Sequence, residues 1–211
     1  MRSLIFSAIL MLMVSFKLIA QTDTIHAINL LDEISSNDKD SMLLLPTHIM
    51  PTQRLLWGEK GLMRHFDYFE LTAAKRQNEL KIRRHMLITH QAMGFATLGV
   101  MVAQGIVGAR LYNGRKDLRD LHETLGAIVN FCYFTTASLA LFAPPKMLDE
   151  RKGYSSIKLH AALAVIHLSC MIATNVLAGQ LESNPKLRSY HRATAYTAFG
   201  SFAAAMIVIK F

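Results

Sequence analysis

The chain has 211 residues, of which 52% are hydrophobic and only 18% charged, with a formal net charge of +8. Soluble domains usually carry about 25% charged residues, so neither a soluble globular domain nor a disordered chain fits this composition. A nucleic-acid binder is excluded by placement, because Lys and Arg stand at the ends of apolar runs and form no continuous basic stripe.

Residues 1–20 have the layout of a secretory signal peptide. Arg2 precedes an apolar run from Leu4 to Phe16, and Leu18-Ile19-Ala20 stands before the polar Gln21-Thr22-Asp23-Thr24. Lys17 interrupts the run and Leu18 is large for its place before a cut, so a retained anchor helix is the alternative. In either case Arg2 stays inside and residues 21–85 are exported. The expected location is the inner (plasma) membrane of a bacterium, with residues 21–85 periplasmic.

Residues 21–85 read as a short, partly helical segment. Ser35-Ser36-Asn37-Asp38-Lys39-Asp40 suits a solvated loop, and Pro46 and Pro51 break any long helix nearby. From Arg54 to Arg84 the apolar positions Leu55, Leu56, Leu62, Met63, Phe66, Phe69, Leu71 and Leu80 have charges between them. That spacing predicts an amphipathic helix ending in the basic Lys75, Arg76, Lys81, Arg83 and Arg84. Such a helix lies on a membrane surface or packs as a lid on the helices that follow. Without disulfides or a haem-attachment CxxCH, this segment makes a poor independent domain. His26, His48, His65 and His85 are scattered along it and read as surface residues.

Four stretches then contain no Asp, Glu, Lys or Arg: 90–109, 124–143, 159–179 and 193–209. A bilayer core of about 30 Å takes about 20 apolar residues of helix, with a usual range of about 17–25, and each stretch meets that length. Residues 86–211 are therefore read as all-α, with four transmembrane helices. The links near 110–121, 144–157 and 180–190 are short, and short links make neighbouring helices antiparallel. The expected architecture is a four-helix up-down bundle. Arg110, Arg115, Lys116, Arg119, Lys186 and Arg188 suit a cytoplasmic face, but Lys81, Arg83, Arg84, Lys146, Arg151 and Lys152 fall on the other side. Charge therefore gives no vote on orientation, which rests on the signal peptide. Small residues such as Gly99, Gly105, Gly108, Ala161, Ala162 and Ala203 to Ala205 let helix backbones approach closely. Cys132 and Cys170 both fall inside spans and make neither a CxxC metal site nor a disulfide framework.

Each span has a histidine at or near its N-terminal end, followed four residues later by Gly or Ala. The segments are His90-Gln-Ala-Met-Gly94, His122-Glu-Thr-Leu-Gly126, His160-Ala-Ala-Leu-Ala164 and His191-Arg-Ala-Thr-Ala195. Residues at i and i+4 share a helix face, so each helix presents an imidazole with a small residue one turn below it. A porphyrin must lie close to the helix whose imidazole ligates it, and a bulky residue at that place would block it. Ionisable groups in spans are costly and usually functional. In an up-down bundle His90 and His160 share the outer side, while His122 and His191 share the cytoplasmic side. Two such pairs suit two bis-histidine haems b, with electron transfer as the expected chemistry.

At these residues the chain resembles the cytochrome b561 family of transmembrane diheme cytochromes, over about residues 86–211. The resemblance rests on His90-x-x-x-Gly94-Phe95 opening the first span, His122 beginning the second, Leu159-His160 the third and His191 the fourth. It implies pairing of the first helix with the third and the second with the fourth. It also implies passage of electrons across a membrane from a small reductant or protein donor to an acceptor on the far side.

His167 lies seven residues past His160, about 10 Å deeper at about 1.5 Å per residue. It is a second candidate on that helix, as the ligand itself, a hydrogen-bond partner or part of a proton path. The depth of His160 matches the other three and favours it. Arg119, Lys158 and Arg192 stand beside the histidines, where haem propionates would pair with cations. Tyr154, with Lys146, Arg151 and Lys152, lies in the outer link, where a donor would approach.

The expected partners are membrane lipid, a periplasmic electron donor or acceptor and the quinone pool, with a homodimer allowed. The rivals are a reductase of ferric iron or quinone acting at one haem face, and a haem-free membrane scaffold or metal transporter.

Overall fold

A computed structural model of the protein describes residues 44–147 and 155–210. The expected signal peptide, His26, the loop at 35–40, Arg151, Lys152 and Tyr154 lie outside them. Among the described residues every regular element is helical. They are α1 (Pro51–Trp57), α2 (Ala73–Tyr112), α3 (Arg119–Leu141), α4 (Ser156–Ala178) and α5 (Arg188–Lys210). Short 3₁₀ turns lie at Leu62–His65, Asp67–Phe69, Lys116–Leu118 and Pro185–Leu187. Helices α2 to α5 carry four segments long and apolar enough to cross a membrane, so the chain reads as a membrane protein.

Local chemistry sets the ends of these helices. The turn between α2 and α3 holds Gly114 at φ 102°, a left-handed conformation that favours glycine. Ser155 caps α4, its side chain accepting from the Lys158 backbone N–H at 3.2 Å. Before α5, Asn184 accepts from the Lys186 N–H at 3.2 Å and Pro185 opens the 3₁₀ turn, where its missing N–H costs nothing.

The stretch from Arg54 to Arg84 differs from the single amphipathic helix that its spacing predicts. Helix α1 stops at Trp57, two 3₁₀ turns follow, and α2 begins only at Ala73. The break is at two glycines. A Cβ at Gly58 would stand 2.5 Å from the Arg54 carbonyl oxygen, and one at Gly61 would stand 2.5 Å from that of Leu56. Only glycine lets the chain fold back so tightly there. Helix α2 then runs without interruption through the expected domain boundary at 85–86. Its 40 residues, at about 1.5 Å each, make roughly 60 Å, about twice a bilayer core. His90 therefore sits well inside a helix, not near its start.

The described chain forms two compact units, one of residues 44–93 and 134–147, the other of residues 94–133 and 155–210. In the first, α1 serves the end of α3. Trp57 Nε1 donates to the Phe142 carbonyl at 2.9 Å and Thr52 Oγ1 to the Leu141 carbonyl at 2.6 Å. The last carbonyls of a helix have no intrahelical partner, and α1 supplies donors to that of Leu141 and, one residue past the helix, that of Phe142. Glu79, fully buried, pairs with both Arg64 and Arg76. Arg64 also donates to the carbonyls of Trp57 and Phe69, each at 2.6 Å, and of Gly58 at 3.2 Å. Arg76, 0% exposed, donates to Leu44 at 3.0 Å and Pro145 at 2.9 Å. Arg83 donates to Pro144 at 2.7 Å. Thus Arg76 and Arg83, part of the basic end of the expected amphipathic helix, are drawn inward by a carboxylate and a row of carbonyls. Outside this cluster, Lys75 at 2.7 Å from Glu70 holds that carboxyl below its usual range.

The second unit is built on Met101, Val129, Tyr133, Met171, Ala198 and Phe202. Large apolar side chains such as Phe131 (72% exposed) and Val165 (66%) face outward, as lipid contact demands. The imidazole of His160 bonds the Ala205 carbonyl, and that of His191 bonds the Thr174 carbonyl. The start of α4 is thereby tied to the end of α5, and the later part of α4 to the start of α5, so these two helices run antiparallel.

The chain also repeats a helical hairpin. The core residues Met101, Val129 and Tyr133 recur 69 or 70 positions later as Met171, Ala198 and Phe202. Helix α5 starts and ends 69 positions after α3, and the 3₁₀ turn Lys116–Leu118 recurs as Pro185–Leu187. The same displacement carries His90 to His160 and His122 to His191.

Candidate functional site

The four span histidines are half-buried, and three share one hydrogen-bond pattern. His90 Nδ1 bonds the Thr136 carbonyl at 2.8 Å, His160 Nδ1 that of Ala205 at 2.9 Å, and His191 Nδ1 that of Thr174 at 3.0 Å. A carbonyl only accepts, so Nδ1 carries the proton and, in the neutral ring, Nε2 carries the lone pair. Metal-ligating histidines are held in this way, with the remote N–H fixed on a carbonyl and the other nitrogen presented to the metal.

His122 and His191 come together inside the second unit. Their ring centroids are 6.5 Å apart and the ring planes cross at 77°. Two metal–imidazole bonds of about 2.0–2.1 Å each, with about 1 Å more from nitrogen to ring centre on each side, place two axial imidazoles roughly 6 Å apart. The pair therefore fits the spacing of a bis-imidazole metal site. His90 and His160 fall in different units, and each is defined by its own carbonyl bond.

Helix α2 passes very close to His122. A Cβ at Gly108 would stand 2.9 Å from Cε1 and 3.2 Å from Nδ1 of that ring. One turn beyond His122, a Cβ at Gly126 would stand 3.3 Å from the Gln104 side-chain nitrogen. Gly94 is buried, and Ala164 and Ala195 are half-buried, each one turn past its histidine. His122 Nδ1 and Gln104 Oε1 are buried and have no hydrogen-bond partner.

His167 is 8% exposed and bonds Tyr133 Oη through Nδ1 at 2.5 Å. Its ring meets Tyr133 edge-on at 5.6 Å and Phe202 at 5.2 Å. The candidate propionate partners are engaged in other ways. Arg119 pairs with Glu123 at 2.8 Å and Glu182 at 2.5 Å. Arg192 lies over the Tyr112 ring at 4.5 Å and the Tyr196 ring at 5.5 Å. Lys158 is exposed in the first turn of α4. His48, His65 and His85 are exposed, as expected of surface residues.

Gln104, Gly108 and the carbonyls of Thr136, Thr174 and Ala205 were not legible as site residues. A glutamine within an apolar span is costly, and that was the one available signal. The carbonyls carry none, since any residue supplies them.

No group of three or more His, Cys, Asp or Glu side chains able to hold a metal ion occurs among the described residues. A bis-imidazole site needs two. Compared with protein-family models, curated proteins and solved structures, the chain matches none.

Proposed function

We propose that this protein is an inner-membrane cytochrome b of four helices in up-down order, holding two haems b through paired histidines. His122 and His191 would hold one haem, and His90 and His160, paired by the order of the spans, the other. Haem b supplies reversible one-electron chemistry when bound. The protein would carry electrons between a periplasmic partner and the cytoplasmic face or the quinone pool, with residues 21–85 exported behind a signal peptide. Small residues at 94, 126, 164 and 195 would leave room for the porphyrins, and the carbonyl bonds would hold the imidazoles in one tautomer.

The observation that carries this reading is the His122–His191 pair, at 6.5 Å between centroids, with His191 Nδ1 fixed on a backbone carbonyl. The resemblance to cytochrome b561 supports the same pairing. The test is a reduced-minus-oxidised spectrum and a haem assay on the detergent-purified protein. Two b-type haems per chain are expected, with one lost in His191→Ala and one lost in His90→Ala. A purified, folded protein without haem overturns the reading and favours a haem-free scaffold or transporter.

A further inference from the structure

His122 is the exception among the span histidines. Where the other three bond a backbone carbonyl through Nδ1, His122 Nδ1 is buried without a partner. Oε1 of Gln104 is buried without a partner too, and the amide nitrogen of the same side chain lies 3.5 Å from His122 Nε2. A strong acceptor and a ring nitrogen able to donate thus stand unmatched on adjacent side chains. Buried polar groups are nearly always bonded, so two unbonded groups on neighbouring side chains call for a shared role.

The repeat says which role. Thr174 precedes His191 by 17 residues and its carbonyl accepts from His191 Nδ1. Gln104 precedes His122 by 18 and is the counterpart of Thr174 in the first hairpin. The residue at this position offers the imidazole an oxygen in both hairpins, bonded to Nδ1 in the second and unbonded in the first. In one hairpin it is a backbone oxygen, and in the other the oxygen on hand is a side-chain amide. Gly126 keeps the amide's place open, since a Cβ there would come within 3.3 Å of the Gln104 nitrogen.

We infer that Gln104 is a positioning residue for His122, its side-chain oxygen accepting the Nδ1 proton and leaving Nε2 for the iron. A half-turn about Cβ–Cγ of His122 carries Nδ1 to the ring edge that now holds Cδ2 and Nε2, the edge Gln104 faces, and a half-turn about the terminal bond of Gln104 turns Oε1 toward that edge. The assignment rests on the cytochrome reading above. It makes the two histidines of one haem unequal, one fixed by rigid helix backbone and the other by a side chain. A stronger acceptor on the remote N–H makes the imidazole a more basic ligand, which favours the ferric state and lowers the potential. A missing acceptor does the reverse.

The test uses full-length protein in detergent with Gln104→Leu and Gln104→Glu. It reads haem per chain, both midpoint potentials and the low-spin ferric electron paramagnetic resonance signals. The expected result is that Leu raises one potential and Glu lowers that same one, with one ferric signal altered and the other constant. Loss of one haem in Gln104→Leu with its recovery in Gln104→Glu also supports the assignment. In His191→Ala, which lacks that haem, the remaining potential should ignore both substitutions. A two-haem protein in which neither substitution moves a potential or a signal overturns this assignment alone. A wild-type protein without haem overturns it together with the cytochrome reading.

Discussion

Tyr133 and His167 meet at 2.5 Å inside the second unit, with Phe202 packed against both rings. The pair lies seven residues deeper on α4 than His160 and carries its own hydrogen bond, so it is held independently of the carbonyl that holds His160. Tyr133→Phe removes one partner of this buried bond. Loss of a partner in a buried polar pair costs about 1–3 kcal/mol, and the thermal midpoint in detergent is expected to fall accordingly. His167→Ala should retain two haems per chain, while His160→Ala should lose one. The opposite result from the two haem assays makes His167 the ligand.

Gly108 has a sharp steric role. Alanine there places a methyl group 2.9 Å from His122 Cε1, and the ring has to move. Gly108→Ala is expected to lose one haem of two. Gly105→Ala is the matched control, because a Cβ at Gly105 meets nothing within 4 Å. Equal haem content in the two variants would remove the steric argument.

Glu79 balances two guanidiniums at once. Removing one partner from a buried ion pair typically costs about 3–5 kcal/mol, and Glu79→Gln leaves Arg64 and Arg76 facing each other without the carboxylate. A large drop in thermal midpoint is expected. Arg76→Lys should fall as well, since a single ammonium does not reproduce the bonds to Glu79, Leu44 and Pro145 together. Glu70→Gln, on an exposed pair, should change the midpoint little.

Asn130 and Asn175 exchange amide hydrogen bonds at 2.7 Å and 3.0 Å between α3 and α4. Polar pairs between membrane helices are worth about 0.6–2 kcal/mol. Asn130→Leu and Asn175→Leu should each destabilise by about that much. The double variant should recover part of the loss, which denaturation of all four proteins in a double-mutant cycle would measure.

Much of this was legible in the sequence. The lengths of the charge-free runs foretold the four long helices, and their edges marked the four histidines proposed as ligands. The small residues four positions past the histidines read as room for a porphyrin, whereas the glycine packed against the His122 ring is Gly108, on another helix. Three things were hidden for physical reasons. The stretch 54–84 mimics a helix because its apolar side chains recur at helical intervals, yet two glycines whose own carbonyl neighbours exclude a Cβ break it. Arg76 looks solvated because charge is usually exposed, and only the fold brings Glu79 and two carbonyls to it. The hairpin repeat is faint in residue identity: His90, His122 and Met101 recur as His160, His191 and Met171, but Val129 is replaced by Ala198 and Tyr133 by Phe202, with the register kept and the chemistry changed.

The repeated hairpin also gives this protein an internal reference. Every substitution near His122 has a counterpart near His191, set in the same helix register but on a different chemical background. A change made at 104 can be read against 174, and one at 126 against 195, within one molecule, one detergent and one preparation. Differences between the two halves then report local chemistry alone.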